Sequence, residues 1–144
     1  MTVKTRDFGE QEIAEDNILN FPNGVYAFED QHRFVMLSPL GHDVFPAWLQ
    51  SLDNESLCFI VFDPAQLVNG YSVTADAESA ALIEKSKETS IRYLSLAVVP
   101  DEYQNTTINL KSPIMINADK MLAAQVIAAE DYPIKFPVFK KEGE

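Results

Sequence analysis

The chain predicts a mainly β fold: a small antiparallel β-barrel-like single domain with one short inserted helix. Three observations predict it. Short apolar runs rich in β-branched and aromatic residues recur along the chain, and Pro, Asn, Asp and Gly punctuate them, as strands and turns require. A single segment is built from helix formers instead, so the alternation of strand and helix that builds parallel sheets is missing. About nine short strands without covering helices are best closed into a barrel, which removes the edges that invite aggregation.

The elements follow in order. Val3 to Thr5 and Gln11 to Ile13 read as a short hairpin around Gly9. Arg33 to Leu37 is a strand stopped by Ser38-Pro39, Ala47 to Leu52 a second that ends at Asp53-Asn54, and Leu57 to Phe62 a third that ends at Asp63-Pro64. Gly70 to Thr74 is a weaker strand. The helix covers Asp76 to Lys87, with acids early and lysines late, an order that suits the helix dipole. Arg92 to Val99 is a long strand ended by Pro100, and Thr106 to Leu110, Ile114 to Asn117 and Gln125 to Ala128 complete the set.

The 144 residues suit one domain that can bury a core without staples. That domain is expected over residues 1–132, with 133–144 as a partly flexible C-terminal tail. Hydrophobic residues make up 47% and charged residues 23%, a globular composition. No apolar run reaches the length of a membrane span, and Met1 to Asp7 lacks a secretory h-region, so a cytoplasmic location is expected. The one cysteine, Cys58, excludes an internal disulfide and sits among apolar neighbours as a small buried hydrophobe.

Charge carries more information. Eleven Lys and Arg stand against 22 Asp and Glu, a net −11. Between Arg33 and Lys85 there is no cation, while Asp43, Asp53, Glu55, Asp63, Asp76, Glu78 and Glu84 all fall there. Such a surface repels phosphate backbones and anionic membranes and attracts a basic protein. Solubility alone also accounts for it.

Catalytic signatures do not emerge. His32 and His42 lack metal-ligand companions, and there is no nucleophile elbow, dinucleotide fingerprint or phosphate loop. The pairs Glu15-Asp16, Glu29-Asp30 and Asp101-Glu102 are adjacent in sequence and point opposite ways when extended. No metal, cofactor or catalytic residue is expected.

Four stretches look purposeful. In Phe21-Pro22-Asn23-Gly24-Val25-Tyr26-Ala27-Phe28-Glu29-Asp30, Asn23-Gly24 is a turn pair and Phe21 and Phe28 can anchor it to the core. In Phe45 to Ser51, Trp48 and Gln50 share one strand face and serve either core or interface. Phe59 to Pro64 is a buried strand with an Asp-Pro stop, and Thr106 to Asn117 is two strands meeting at Ser112-Pro113, with Asn109 and Asn117 bonded to backbone at their ends.

These stretches, in this order, resemble the flagellar assembly factor FliW family. The matching positions are Phe21, Pro22, Gly24, Phe28 and Glu29; Trp48 to Ser51, with Gln50; Asp63 and Pro64; and Asn109, Leu110, Pro113, Ile114, Ile116 and Asn117. Phe8 to Glu10 and Gln125 to Ile127 fit too. The family usually has Gly where this chain has Ala27, which implies a relaxed or altered turn, and often Gly before Gln-Val-Ile, where Ala123-Ala124 stand. The resemblance implies a non-catalytic protein that binds the translational regulator CsrA, a basic RNA-binding dimer, so that flagellin mRNA escapes repression. It also implies binding to flagellin, which in excess captures the antagonist. Direct nucleic-acid binding is not implied. On that reading Asp53, Glu55, Asp63, Asp101 and Glu102, at strand ends and turns, are the expected acids facing the regulator, with Phe45 and Trp48 as apolar contacts. The competing class is a small β-barrel that binds a ligand or acts as an enzyme, which needs ionisable groups converging on a pocket.

Overall fold

A computed structural model describes residues 1–139. The N-terminal hairpin pairs β1 (Thr2–Thr5) with β2 (Gly9–Glu12) as a separate two-stranded sheet. After a 3-10 turn at Glu15–Asn17 come β3 (Ile18–Asn20), β4 (Arg33–Leu37), β5 (Ala47–Ser51) and β6 (Cys58–Phe62). Two short helices, α1 (Pro64–Leu67) and α2 (Ala77–Leu82), precede the long β7 (Ile91–Val98). Then follow β8 (Thr107–Ile108), β9 (Ile114–Asn117), β10 (Leu122–Gln125) and β11 (Phe136–Pro137).

Seven strands close a barrel in the order β3-β4-β5-β6-β7-β9-β10, and β10 returns to β3. The expected antiparallel β-barrel-like domain is what forms, with one exception to the antiparallel pairing. An odd number of strands cannot alternate direction all the way round, so one neighbouring pair must run parallel. That pair is β10 with β3, through Leu122 opposite Asn20.

Side chains alternate in and out along each strand. Leu19, Phe34, Leu49, Val61, Leu94, Ile114 and Ile116 fill the interior. Two satellite cores lie outside the wall. Phe62, Tyr71, Ile108 and Leu110 form one under the segment after α1 and under the chain end, and Ile83, Met115, Ala124 and Val126 form another under α2.

Several expectations are corrected. Gly70 to Thr74 is not a strand but a cover, with the buried Tyr71 hydroxyl donating to Leu110 O at 2.7 Å. The helix stops at Leu82, because Ile83 is drawn into a core and Glu84 turns left-handed at φ 56°. Lys85 N then bonds Ala80 O and Glu84 N bonds Ala81 O, the double closure of a helix end; the lysines fall outside the helix. The strand expected at Gln125 to Ala128 begins three residues earlier, straight after a turn in which Met121 has φ 53°. Beyond the expected domain end at 132, β11 pairs with β8, and Val138 N bonds Thr106 O at 3.0 Å. Residues 140–144 of the expected tail lie outside the described residues.

One buried group is unmatched. Ser95, opposite Phe62, is fully buried and its hydroxyl has no partner among the described residues. An unmade buried hydrogen bond costs about 1–3 kcal/mol. Ser95→Ala is therefore expected to leave stability unchanged or raise it, by about 1 kcal/mol at most, in thermal denaturation. A clear loss would reveal a partner for the hydroxyl.

Candidate functional site

Strand direction sorts the loops to two ends of the barrel. β3 and β5 run toward one end and β4 and β6 away from it. That end therefore carries the loop of residues 21–32, the β5–β6 turn and the chain leaving β7. The other end carries the β4–β5 loop, the start of α1 and the β9–β10 turn.

The loop of residues 21–32 is folded tightly. Phe21 is buried edge-on to Phe34 at 5.1 Å, and Phe28 meets Phe59 at 5.6 Å. Val25 and Phe28 exchange backbone bonds of 3.3 and 2.7 Å around Tyr26-Ala27. Ala27 holds φ 71°, so the turn is not relaxed: alanine takes the left-handed conformation that glycine would take more easily. Glu29 Oε1 accepts from Ala27 N, and Gln125 Oε1 accepts from Tyr26 N. Pro22 is exposed.

The expected acids are divided between the ends. Asp53 and Glu55 lie in the β5–β6 turn, and Asp101 and Glu102 follow β7, all exposed and all toward the end of residues 21–32. Asp63 lies at the other end, where it caps α1 by accepting from Ala65 N at 2.9 Å while Pro64 takes the first turn. Phe45 is at that end too, with the Arg92 guanidinium 5.7 Å above its ring. Trp48 faces outward from the wall under the N-terminal hairpin, edge-on to Phe8 at 5.2 Å. These seven residues do not form one patch.

Three acids of the cation-free stretch are matched by cations from outside it. Asp53 pairs with Arg33 at 2.7 Å, Asp43 with Arg92 at 2.6 Å and Glu84 with Lys120 at 2.8 Å. Among the described residues, Glu55 and Glu78 make no ion pair. Gln50 is fully buried and belongs to the turn above it, and Asn109, Pro113 and Asn117 are scaffold: Asn109 Oδ1 accepts from Lys111 N and Ser112 N, and Asn117 donates to Ile83 O at 2.8 Å.

Sequence reasoning missed where the acids converge. A cavity of about 590 Å³ opens between the loop of residues 21–32 and the start of α2, lined by Glu29, Asp76 and Glu78 together with Tyr26 and His32. No Lys or Arg lines it among the described residues. Residues 22–29 and 76–79 are far apart in sequence, and β10 lies beside both, with Ala124 and Gln125 on the same cavity. Asp76 is held below its usual value by hydrogen bonds from the Ser79 hydroxyl and the Ser79 N–H, and Tyr26 is raised by burial and by Asp76.

Glu130 is lowered as well, because Thr74 N–H and hydroxyl both donate to it. A carboxylate lowered in the folded state contributes stability fully above its unfolded value, and loses it as pH falls through the folded one. Stability is thus expected to fall below about pH 4. The Glu130→Gln variant should show a shallower acid loss in denaturant titrations at stepped pH.

Among the described residues no group of three or more His, Cys, Asp or Glu is placed to hold a metal, and no helix is long and apolar enough to cross a membrane. Cys58 is buried and its thiol is pushed up to about 11 by burial.

Comparison with known proteins assigns this architecture. The FliW protein family matches residues 2–138. The flagellar assembly factor FliW of Natranaerobius thermophilus is 34% identical over 99% of this chain and 95% of its own length. That of Thermoanaerobacter pseudethanolicus is 32% identical over 98% of this chain and 95% of its own. A crystal structure of the flagellar assembly factor FliW superposes with a TM-score of 0.87 at 28% identity, covering 99% of both chains. The barrel, its order of motifs and these matches over nearly the full length agree: the chain belongs to the FliW family of flagellar assembly factors.

Proposed function

We propose that this protein works by binding proteins: it antagonises the basic translational regulator CsrA, which relieves repression of flagellin mRNA, and it binds flagellin as the competing partner. The observation that carries the reading is the acidic barrel end, where Glu29, Asp76 and Glu78 line one cavity without a Lys or Arg among the described residues. Asp53, Glu55, Asp101 and Glu102 lie toward the same end. Negative potential there speeds encounter with a basic dimer and weakens RNA held nearby. Flagellin ends, as amphipathic helices, need exposed apolar surface. Val98, Val99 and Tyr103 supply it beside Asp101 and Glu102, with Val98 66% and Tyr103 60% exposed. The two partners meet the protein in the cytoplasm, and no catalytic step is involved.

Calorimetric titration into CsrA, repeated with flagellin present, tests this. Binding that flagellin abolishes is the expected result; no binding to either partner by the folded protein refutes it. Charge reversal is best made at Glu55 and Glu78, because reversing Asp53 would also break its pair with Arg33. Glu55→Lys with Glu78→Lys is expected to slow association about tenfold at low salt and leave folding intact.

A further inference from the structure

Arg92 stands where a barrel strand should carry an apolar side chain. Residues two apart on a strand share a face. Along β7 that face holds Arg92, Leu94 and Leu96; Leu94 is fully buried in the interior and Leu96 packs against it. Arg92 is therefore the last inward position of β7, at the barrel end opposite the acidic one.

There the interior opens into a cavity of about 270 Å³ with walls of Leu19, Met36, Leu94, Ile116 and Met121. Asn17, Ser38, His42 and Arg92 also line it, so every polar side chain on its lining can donate a hydrogen bond and none is a carboxylate. The β4–β5 loop reaches across to Arg92: Asp43 Oδ1 accepts from Nη2 at 2.6 Å, and the guanidinium lies over Phe45. This accounts for one of five N–H groups, and Arg92 has no other protein acceptor among the described residues. Arg6, by contrast, spends its donors on Asp7 and Cys58 O. Residues on both sides of the opening hold left-handed backbone, Asp43 at φ 57° and Met121 at φ 53°. Strain of this kind persists where the surroundings enforce it, and it concentrates at binding sites.

We propose that this barrel mouth binds a small aliphatic carboxylate, its chain in the apolar cavity and its oxygens on the free N–H groups of Arg92. A planar guanidinium suits a carboxylate, which can take two parallel hydrogen bonds. At roughly 30 Å³ per water-sized atom the cavity has room for about nine, which fits a chain of five or six carbons. Asp43 balances the Arg92 charge, so the carboxylate is held by the guanidinium N–H groups that Asp43 leaves free.

The test is a titration of the full-length protein with sodium hexanoate, followed by amide NMR. Saturable shifts at Arg92, Leu94, Ile116 and Met121 are expected. Acetate should bind about a hundredfold more weakly, since it lacks the buried methylenes. Arg92→Gln should weaken hexanoate at least tenfold. Met36→Trp, which fills the cavity and keeps Arg92, should abolish the shifts while the rest of the spectrum shows an intact fold. Absence of shifts at these amides, equal binding of hexylammonium, or unchanged affinity in Arg92→Gln would each overturn the proposal. None of these readouts depends on CsrA or flagellin.

Discussion

Gly24→Ala is expected to lower the melting temperature by about 10 °C, corresponding to about 3 kcal/mol for a domain of this size. Two costs combine. Gly24 holds φ +69°, in the left-handed region where a side chain is strained. A Cβ there would also stand 2.6 Å from Phe28 O and 2.7 Å from Glu29 Cα and Glu29 O. All three atoms are backbone, so no rotamer change relieves the contact, and the turn from Val25 to Phe28 must open. Gly9→Ala is the control: its φ of +65° is almost the same, but nothing lies within 4 Å of the added atom. It should cost only about 1 kcal/mol. Calorimetric scans of both variants decide the matter, and equal shifts would mean that backbone strain alone accounts for Gly24. Since Gly24 and Glu29 both line the acidic cavity, the clash should also displace Glu29 and weaken any partner that reads that end.

Elements whose signal is local were legible in the sequence. β4 and β9 were read to the residue, because their apolar runs are bounded by Ser38-Pro39, by Pro113 and by Asn117. Elements that exist only through a partner were not. β3 is three residues, Ile18 to Asn20, held between β4 and β10. β11 is two residues with a proline, a weak strand signal that its pairing with β8 overrides. The helix was overextended because composition shows helix formers but not the demand of a core for Ile83. At the site, the cation-free stretch from Phe34 to Glu84 was visible. Its partial neutralisation by Arg33, Arg92 and Lys120 was not, nor was the meeting of Glu29 with Asp76 and Glu78. Each depends on contacts between residues 20 to about 50 positions apart, which no local pattern encodes.

Gln50→Leu should cost about 3 kcal/mol and loosen the N-terminal hairpin before the barrel. Gln50 is fully buried, and its amide joins two structures. Oε1 accepts from Arg6 N at 2.9 Å; Nε2 donates to Ser51 O and Glu55 O at 3.0 Å and lies 3.2 Å from Leu57 O. Leucine conserves the volume and leaves Arg6 N–H and the Glu55 carbonyl without a partner, each costing about 1–3 kcal/mol. A two-stranded hairpin is marginal by itself, and this one shares no ladder with the barrel. Hydrogen exchange in residues 2–12 should therefore accelerate more than in β4 or β9. Gln50→Glu separates lost hydrogen bonds from altered shape. Its shape is conserved, but an ionised carboxylate would face carbonyl oxygens, so the acid's pKa must rise in the folded state. A group raised on folding destabilises when ionised, so the deficit of Gln50→Glu against the parent protein should be greatest at neutral pH and shrink as pH falls toward about 4. The deficit of Gln50→Leu should not change with pH. Parallel pH dependence in the two variants would show that the amide acts by filling space and not by holding the turn to the hairpin.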